Sequence, residues 1–512
     1  MAENIVNNQR IAKNTILLYI RMLFTMFISL YTSRAVLQAL GVTDYGIYNV
    51  VGGIVLLFVF LNNAMTTSTQ RYLSYELGKG NFDRLRNVFV TSVNIHILIS
   101  LIVVILSETI GLWLFDEKMI IPHDRRIAAM WVFQLSILTC VISIMSYPYN
   151  AAIIAYEKMS AFAYISVLEA LLKLAIVYLL LIGDFDRLIA YAILMALVQL
   201  FIRFCYSSYC KRHFPASSYK LYYNNGLFRE MLVFAGWNLW GNIASILGNQ
   251  GINILLNVFF GPTVNAARAL AIHAQSAIRQ FITNFQLALN PQITKSYAAG
   301  QLQDMHQLVF RSSKFSYFLL FIISLPVLIE TPFILDLWLK EVPVYTILFL
   351  RLAIIGMLLE GTSNPLMTSA AATGNVKVYQ SVVGSIYLLV LPISYIVLKL
   401  GCTPWSVYIV DIFVTIIAYA ARLIIVSRLI RMKLLRFFKC VLFRVFIVTV
   451  LSCIIPWLTS VTWSDDTLIR HVVIIVLSVL CALSCSFFIG FDYNERKMCT
   501  NYIANYFANV WK

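Results

Sequence analysis

Residues 161–182 read AFAYISVLEALLKLAIVYLLLI. Two charges, Glu169 and Lys173, are all that interrupt the run. An α-helix rises about 1.5 Å per residue, so a run of this length spans roughly 30 Å, the thickness of a bilayer's hydrocarbon core. A helix at the surface of a soluble protein keeps a polar stripe, and this one is apolar almost all round. The reading that fits is a membrane-spanning helix. Glu169 precedes Lys173 by four residues, which places both on one helix face in the favourable order.

Working outward, comparable runs fall at 15–40, 46–65, 88–114, 127–147, 188–207, 231–259, 264–289, 314–338, 346–372, 378–398, 406–426, 441–461 and 470–490. Each is long enough to cross, and in lipid a helix satisfies its own backbone polar groups. The expected fold class is therefore all-α, a polytopic membrane protein of about 14 transmembrane helices. The composition agrees: 60% of the 512 residues are hydrophobic and 12% charged, with mean hydropathy +0.81. Such a chain has too little polar surface to be water-soluble. The first run is too long for a signal-peptide core. No loop is long enough to hold a soluble catalytic domain. The nine cysteines form no CxxC and sit in or beside apolar runs, so neither a disulfide framework nor a metal site is expected.

The formal charge of +16 reads as membrane topology rather than as nucleic-acid binding. With a cytoplasmic N-terminus, 23 lysines and arginines of the loops and tails face inward and seven outward. An even number of crossings returns the C-terminus to the cytoplasm, where its basic tail belongs. The expected organisation is a six-helix lobe (1–207), a cytoplasmic connecting loop (208–230), a second six-helix lobe (231–427), two further helices (428–490) and a tail (491–512). The lobes look like repeats. A shift of 222 residues lays Gln70-x3-Ser74-Tyr75-x2-Gly78 on Gln292-x3-Ser296-Tyr297-x2-Gly300, and Leu40-Gly41-x-Thr43 resembles Phe260-Gly261-x-Thr263. Both repeats would start in the cytoplasm, as parallel repeats do.

Polar groups at membrane depth are functional candidates by default, because leaving them in lipid costs several kcal/mol. In the eighth run, Arg268, Gln275, Arg279 and Gln286 fall within about 40° of one line on a helix. A stripe of two cations and two amides suits a wet cavity. The seventh run carries Asn238, Asn242, Asn249 and Asn253 beside Trp237 and Trp240. Amides can bond sugar hydroxyls and indoles can stack on sugar rings, although amides also tie membrane helices together. Arg34, Arg351 and Asp411 lie in other runs. Arg21, Arg203, Arg422 and Arg444 lie near cytoplasmic ends, where a long side chain can snorkel to water. The tenth run is interrupted by Glu360-Gly361-Thr362-Ser363-Asn364-Pro365, the signature of a discontinuous helix. A cavity of arginines and amides suits an anionic, hydroxyl-rich ligand, since guanidinium binds phosphate bidentately. No P-loop is present, so any driving energy would come from an ion gradient, membrane potential or product removal.

The stretches Arg10–Thr15, Arg34 through Tyr48, Thr67-x2-Gln70-Arg71-Tyr72-Leu73-Ser74 and Asn290–Tyr297, in that order and spacing, resemble those of bacterial polysaccharide flippases. These belong to the multidrug/oligosaccharidyl-lipid/polysaccharide exporter superfamily, which also holds the multidrug and toxin extruders and the lipid II flippase. The resemblance covers essentially the whole chain. It implies a V-shaped fold like that of the extruders, with a central cavity between the lobes, in a bacterial inner membrane. It also implies a substrate, undecaprenyl-diphosphate-linked oligosaccharide for O-antigen, capsule or related surface polysaccharide, flipped from cytoplasmic to periplasmic leaflet. Polymerase and assembly proteins are the implied partners, with no cofactor and no enzymatic activity. By the same resemblance Arg34, Arg268 and Arg279 are the candidates to hold the diphosphate. Gln275, Asn238, Asn242, Asn249 and Trp240 complete the substrate set, and Glu169, Lys173, Glu360 and Asp411 are candidates for coupling or gating. The alternative on the same fold is a cation-coupled multidrug extruder, for which Glu169 would be essential and Arg34 and Arg279 would matter little.

Overall fold

The computed structural model describes the backbone of residues 2–500 except 57–59, 118–120, 181, 183–185, 220–221, 340–341, 464–466 and 498–499. Side chains are described for these residues apart from 2–13, 30, 33–34, 37, 42, 49–50, 53–56, 60–63, 245 and 262. Among the described residues there are helices and no strand. Among the described residues ten helices are long and apolar enough to cross a membrane, or 11 counting the pair Thr346–Glu360 and Asn364–Thr373, bent by 41°. The other three expected crossings also fall on helix. Two lie along Ala2–Leu56 and Phe60–Lys79, parted at Gly41, and the third is Pro262–Ala298. Its stripe of arginines and amides is what lowers its hydropathy below that of its neighbours. The chain is a multi-pass helical membrane protein.

The chain divides into two compact units, one spanning Arg10–Leu239 and the other running from Trp240. The connection between them is shorter than the expected 208–230 loop, because one helix runs on to His213 and the next starts at Asn225. Asn224 makes the early start: its Oδ1 accepts the Leu227 amide at 3.0 Å, filling one of the unpaired N–H groups of the first turn. The boundary between the units lies inside the helix Asn225–Phe260 rather than in the loop.

Backbone geometry repeats more clearly than sequence does. Gly41 (φ 79°) and Gly261 (φ 81°) are both left-handed and 220 positions apart; so are Gly80 (φ 70°) and Gly300 (φ 76°). The register across this pair of helices is therefore 220. The 222-residue match of Gln70 on Gln292 is two residues out of step, and Gln70 pairs with Asn290. Further on, both units hold a broken helix. Arg126–Ile144 is followed by Tyr147–Ala155, and Thr346–Glu360 by Asn364–Thr373. Each second piece has proline at its second position, Pro148 or Pro365. Proline lacks the N–H that would continue the preceding helix and is tolerated in a first turn. Each second piece also ends near a left-handed residue, Glu157 (φ 59°) or Gly374 (φ 79°).

The first unit is tied by Arg125, which donates to both Asp44 and Asp186, the latter at 2.7 Å. Asp186 also caps the helix Arg187–His213, accepting the Leu188 and Ile189 amides at 3.0 and 3.2 Å. In the second unit, Leu302–Ile329 packs against the two last membrane helices, Phe443–Thr462 and Leu468–Cys485. Beyond them the chain turns back in an ionic clasp. Lys314, 1% exposed, donates to Glu495 at 2.7 Å and to Asp492 at 3.3 Å. Arg311 lies 3.7 Å from Glu495, and Arg444 pairs with Asp492.

Candidate functional site

In the second unit, helices Asn225–Phe260, Pro262–Ala298, Thr346–Glu360, Lys377–Leu388 and Ser406–Leu429 enclose a cavity of about 360 Å³. Its wall brings together seven of the residues singled out from sequence: Asn249, Asn253, Arg268, Gln275, Arg279, Glu360 and Asp411. The spacing of the first three on Pro262–Ala298 explains this, since residues 7 and 4 apart stack on one helix face.

Glu360 organises the charge. It is the last residue before the helix break, where the C-terminal end of the helix dipole disfavours a carboxylate. Three groups offset that. Tyr387 donates its hydroxyl to Glu360 Oε1 at 2.6 Å, Arg279 Nη2 lies 3.3 Å from Oε2, and the buried Arg422 sits close by, also facing Tyr379 and Tyr387. The break is tightly packed: a Cβ on Gly361 would meet Leu358 O at 3.1 Å and Leu320 Cδ2 at 3.3 Å. Arg268, 3% exposed, donates to Asn253 and lies next to Tyr408 and Asp411. Its Nε is buried with no hydrogen-bond partner among the described residues. Gln275 donates to the carbonyl of Ala353 at 2.8 Å. Arg279 is half exposed (52%) and held by one carboxylate among the described residues.

Lower on the same helix face the role changes. Gln286 Oε1 accepts from Asn364 Nδ2 at 2.7 Å, and Asn290 Oδ1 accepts from Thr368 at 2.8 Å. One half of the stripe lines the cavity and the other half binds the piece beyond the helix break.

The remaining expected residues lie elsewhere. Asn238 is buried and donates to its own helix at Phe234 O, 3.1 Å away. Asn242 is exposed, and Trp240 packs over Gly384, where a Cβ would come within 3.3 Å of the indole. None of the three lines this cavity. Arg34 is on helical backbone, but its side chain lies outside the described residues. Glu169 and Lys173 form their ion pair at 2.6 Å in the first unit, with Gln199 donating to the same carboxylate oxygen at 3.1 Å. Sequence reasoning passed over Tyr387 and Tyr408, because a tyrosine in an apolar run reads as core. It assigned Arg422 to snorkelling, whereas Arg422 is 4% exposed beside Glu360.

These features define a class: a multi-pass helical protein with a charged cavity inside a membrane-spanning unit. Comparison with known proteins narrows the class to a fold. The MatE family model matches residues 17–179. No curated protein matches the sequence. The structure is similar to the MATE transporter ClbM in complex with Rb+, at 16% identity and TM-score 0.68, covering 82% of this chain and 96% of that one. It is similar to an outward-facing multidrug resistance MATE family transporter at 13% identity and TM-score 0.68, with the same coverage. A MOP superfamily transporter from Pyrococcus furiosus, described as having a binding pocket of reversed polarity, matches at 14% identity and TM-score 0.65, again covering 82% and 96%. The chain has the fold of the MATE transporters.

Proposed function

We propose that the chain is a transporter working by alternating access, and that its cargo is undecaprenyl-diphosphate-linked oligosaccharide, moved from the cytoplasmic to the periplasmic leaflet for a surface polysaccharide. The observation that carries this is the pair Arg268 and Arg279 in one cavity. Among the described residues the first has a buried Nε without a partner and the second a single exposed ion pair. A buried donor without a partner calls for an explanation, and an anionic ligand supplies one. A diphosphate presents paired oxygens that match two guanidinium forks. An exposed ion pair contributes about 1 kcal/mol at most, so a phosphate can displace Glu360 from Arg279. Glu360 then remains with Tyr387 and Arg422, and a proton on Glu360 or Asp411 would rebalance the cavity's charge.

The extruder alternative needs a carboxylate free to hold an organic cation. Glu169, the carboxylate on which that alternative relies, is already paired with Lys173, which favours the anionic cargo. The test is the sidedness of lipid-linked glycan in inner-membrane vesicles from cells lacking the protein. The reading expects the glycan to build up on the cytoplasmic leaflet, with the wild-type chain relieving it and Arg279→Ala failing to. Normal delivery to the periplasmic leaflet in those cells would refute it.

A further inference from the structure

The first unit contains a cavity of its own, about 380 Å³, walled by the helical stretch around Thr25–Tyr48 and by helices Met159–Leu179 and Arg187–His213. Glu169 and Lys173 are on its wall, with Tyr45, Tyr48, Tyr191 and a set of Ser and Thr hydroxyls. We infer that this cavity is a binding site for a neutral carbohydrate ring.

Charge selects the ligand class first. Lys173 Nζ sits 2.6 Å from Glu169 Oε1, so the charges on the wall balance among the described residues. An organic cation would have to displace the lysine, and an anion the glutamate. Either exchange leaves an uncompensated charge in a membrane-spanning segment. A polyol displaces neither. Its hydroxyls can donate to the second oxygen of Glu169 and accept from the remaining protons of Lys173, and charge-assisted bonds of this kind are the stronger ones.

The lining hydroxyls point the same way. Thr25 Oγ1 donates to Arg21 O at 2.9 Å and Ser166 Oγ to Phe162 O at 2.7 Å. With their protons committed, they present lone pairs to a ligand that must itself donate. Thr32 Oγ1 is buried in the same wall with no hydrogen-bond partner among the described residues. Buried hydroxyls without partners are uncommon, and a sugar hydroxyl would satisfy this one.

Shape is the third argument. Tyr48 and Tyr191 meet edge to face with centroids 4.7 Å apart, which fixes both rings at the wall. An aromatic face packs against the C–H face of a pyranose while the ring's equatorial hydroxyls reach the polar groups. The volume lies near the lower end of the ~300–1,000 Å³ range of small-molecule sites. It fits one or two sugar rings and not a long glycan.

The inference deepens the flippase reading but does not rest on it, since free sugar and lipid-linked sugar share this chemistry. The test uses the full chain in nanodiscs, with thermal stability and intrinsic fluorescence as readouts. The probes are glucose, galactose, rhamnose, N-acetylglucosamine and N,N′-diacetylchitobiose, with tetraphenylphosphonium as the cationic rival. At least one sugar should give a saturable shift that tetraphenylphosphonium does not compete. The charge-neutral double variant Glu169→Gln/Lys173→Met should weaken it about tenfold or more, and the isosteric Thr32→Val about fivefold, if each removes bonds of ordinary strength. The second variant keeps the test alive should the first fail to fold. Tighter binding of a farnesyl-diphosphate-linked disaccharide than of the free disaccharide identifies the lipid-linked source, and equal binding the free sugar. The inference is overturned if no sugar in the panel shifts the protein, if the shift survives Thr32→Val undiminished, or if tetraphenylphosphonium competes for the site. Because this is binding to purified protein with no transport step, failure here leaves the glycan-sidedness result untouched, and the reverse.

Discussion

The clasp at the end of the chain makes the sharpest quantitative test of the fold. Lys314 is 1% exposed and Glu495 2%, at a separation of 2.7 Å. Removing one member of a buried pair leaves the other as an unpaired buried charge, which costs about 3–5 kcal/mol, whereas replacing both with apolar groups of similar volume is often neutral. The partners that remain soften the loss. In Glu495→Gln, Lys314 keeps Asp492 at 3.3 Å, and in Lys314→Met, Glu495 keeps Arg311 at 3.7 Å. We therefore expect the low end, about 3 kcal/mol for each single variant, or roughly a hundredfold rise in local opening at ~1.4 kcal/mol per decade. Hydrogen exchange measured by mass spectrometry on the nanodisc-embedded chain reads that opening directly across residues 486–497. Lys314→Met/Glu495→Met should open far less than the sum of the singles. Strict additivity, or singles that open less than about threefold, would refute the clasp as an energetic unit.

The same clasp fixes a pH dependence. Burial alone would push the Asp492 carboxyl up, but Lys314 and Arg444 outweigh it and hold the group below the ordinary aspartate range. A depressed folded-state pKa means stability present above the unfolded value of about 3.9 and lost as pH falls through the lower folded value. The opening free energy of the tail, taken from exchange corrected for the pH dependence of the intrinsic rate, should then stay flat from neutral pH down to about 4 and fall only below it. In the second unit's cavity, Glu360→Gln removes the competitor for Arg279 and should tighten farnesyl diphosphate binding by up to about fivefold by calorimetry, since an exposed ion pair is worth ~1 kcal/mol at most. Weaker binding would mean that Glu360 positions Arg279 rather than competes for it. Gly374→Ala forces a side chain into φ 79° and should lower stability by about 1–2 kcal/mol in denaturant titrations.

How much of this could be read from sequence follows from what each signal encodes. Run length and apolarity report directly on whether a helix can cross lipid, so the crossings were legible one by one, including the interruption at Glu360–Pro365. Element ends were less so. The run 46–65 stopped where polar residues began, yet the helix continues to Lys79, because in a lobe interior Ser68, Thr69 and Ser74 pack against protein and need not be apolar. The repeat register slipped by two residues for a related reason. Identity matched side chains, Gln70 with Gln292, while the fold preserves backbone turns, Gly41 with Gly261 and Gly80 with Gly300.

The cavity shows the limit most clearly. Helix phase placed Arg268, Gln275 and Arg279 on one line, and the cavity keeps all three together. Phase on Asn225–Phe260 put Asn238, Asn242 and Asn249 on one line just as well, yet Asn249 alone of these lines the cavity. A face is a property of one helix, but a cavity is made where several faces fail to close. That depends on residues such as Gly248 and Gly356, whose absent side chains leave room. Charge pairing is illegible for the same reason. Glu169 and Lys173 could be paired from sequence because four residues on one helix fix their distance. Glu360 could not be assigned to Arg279, Tyr387 and Arg422, which come from three other helices. The candidate residues were therefore legible, and the chemistry they perform together was not: whether Arg279 meets the cargo free or first has to leave Glu360 is decided by that inter-helix contact.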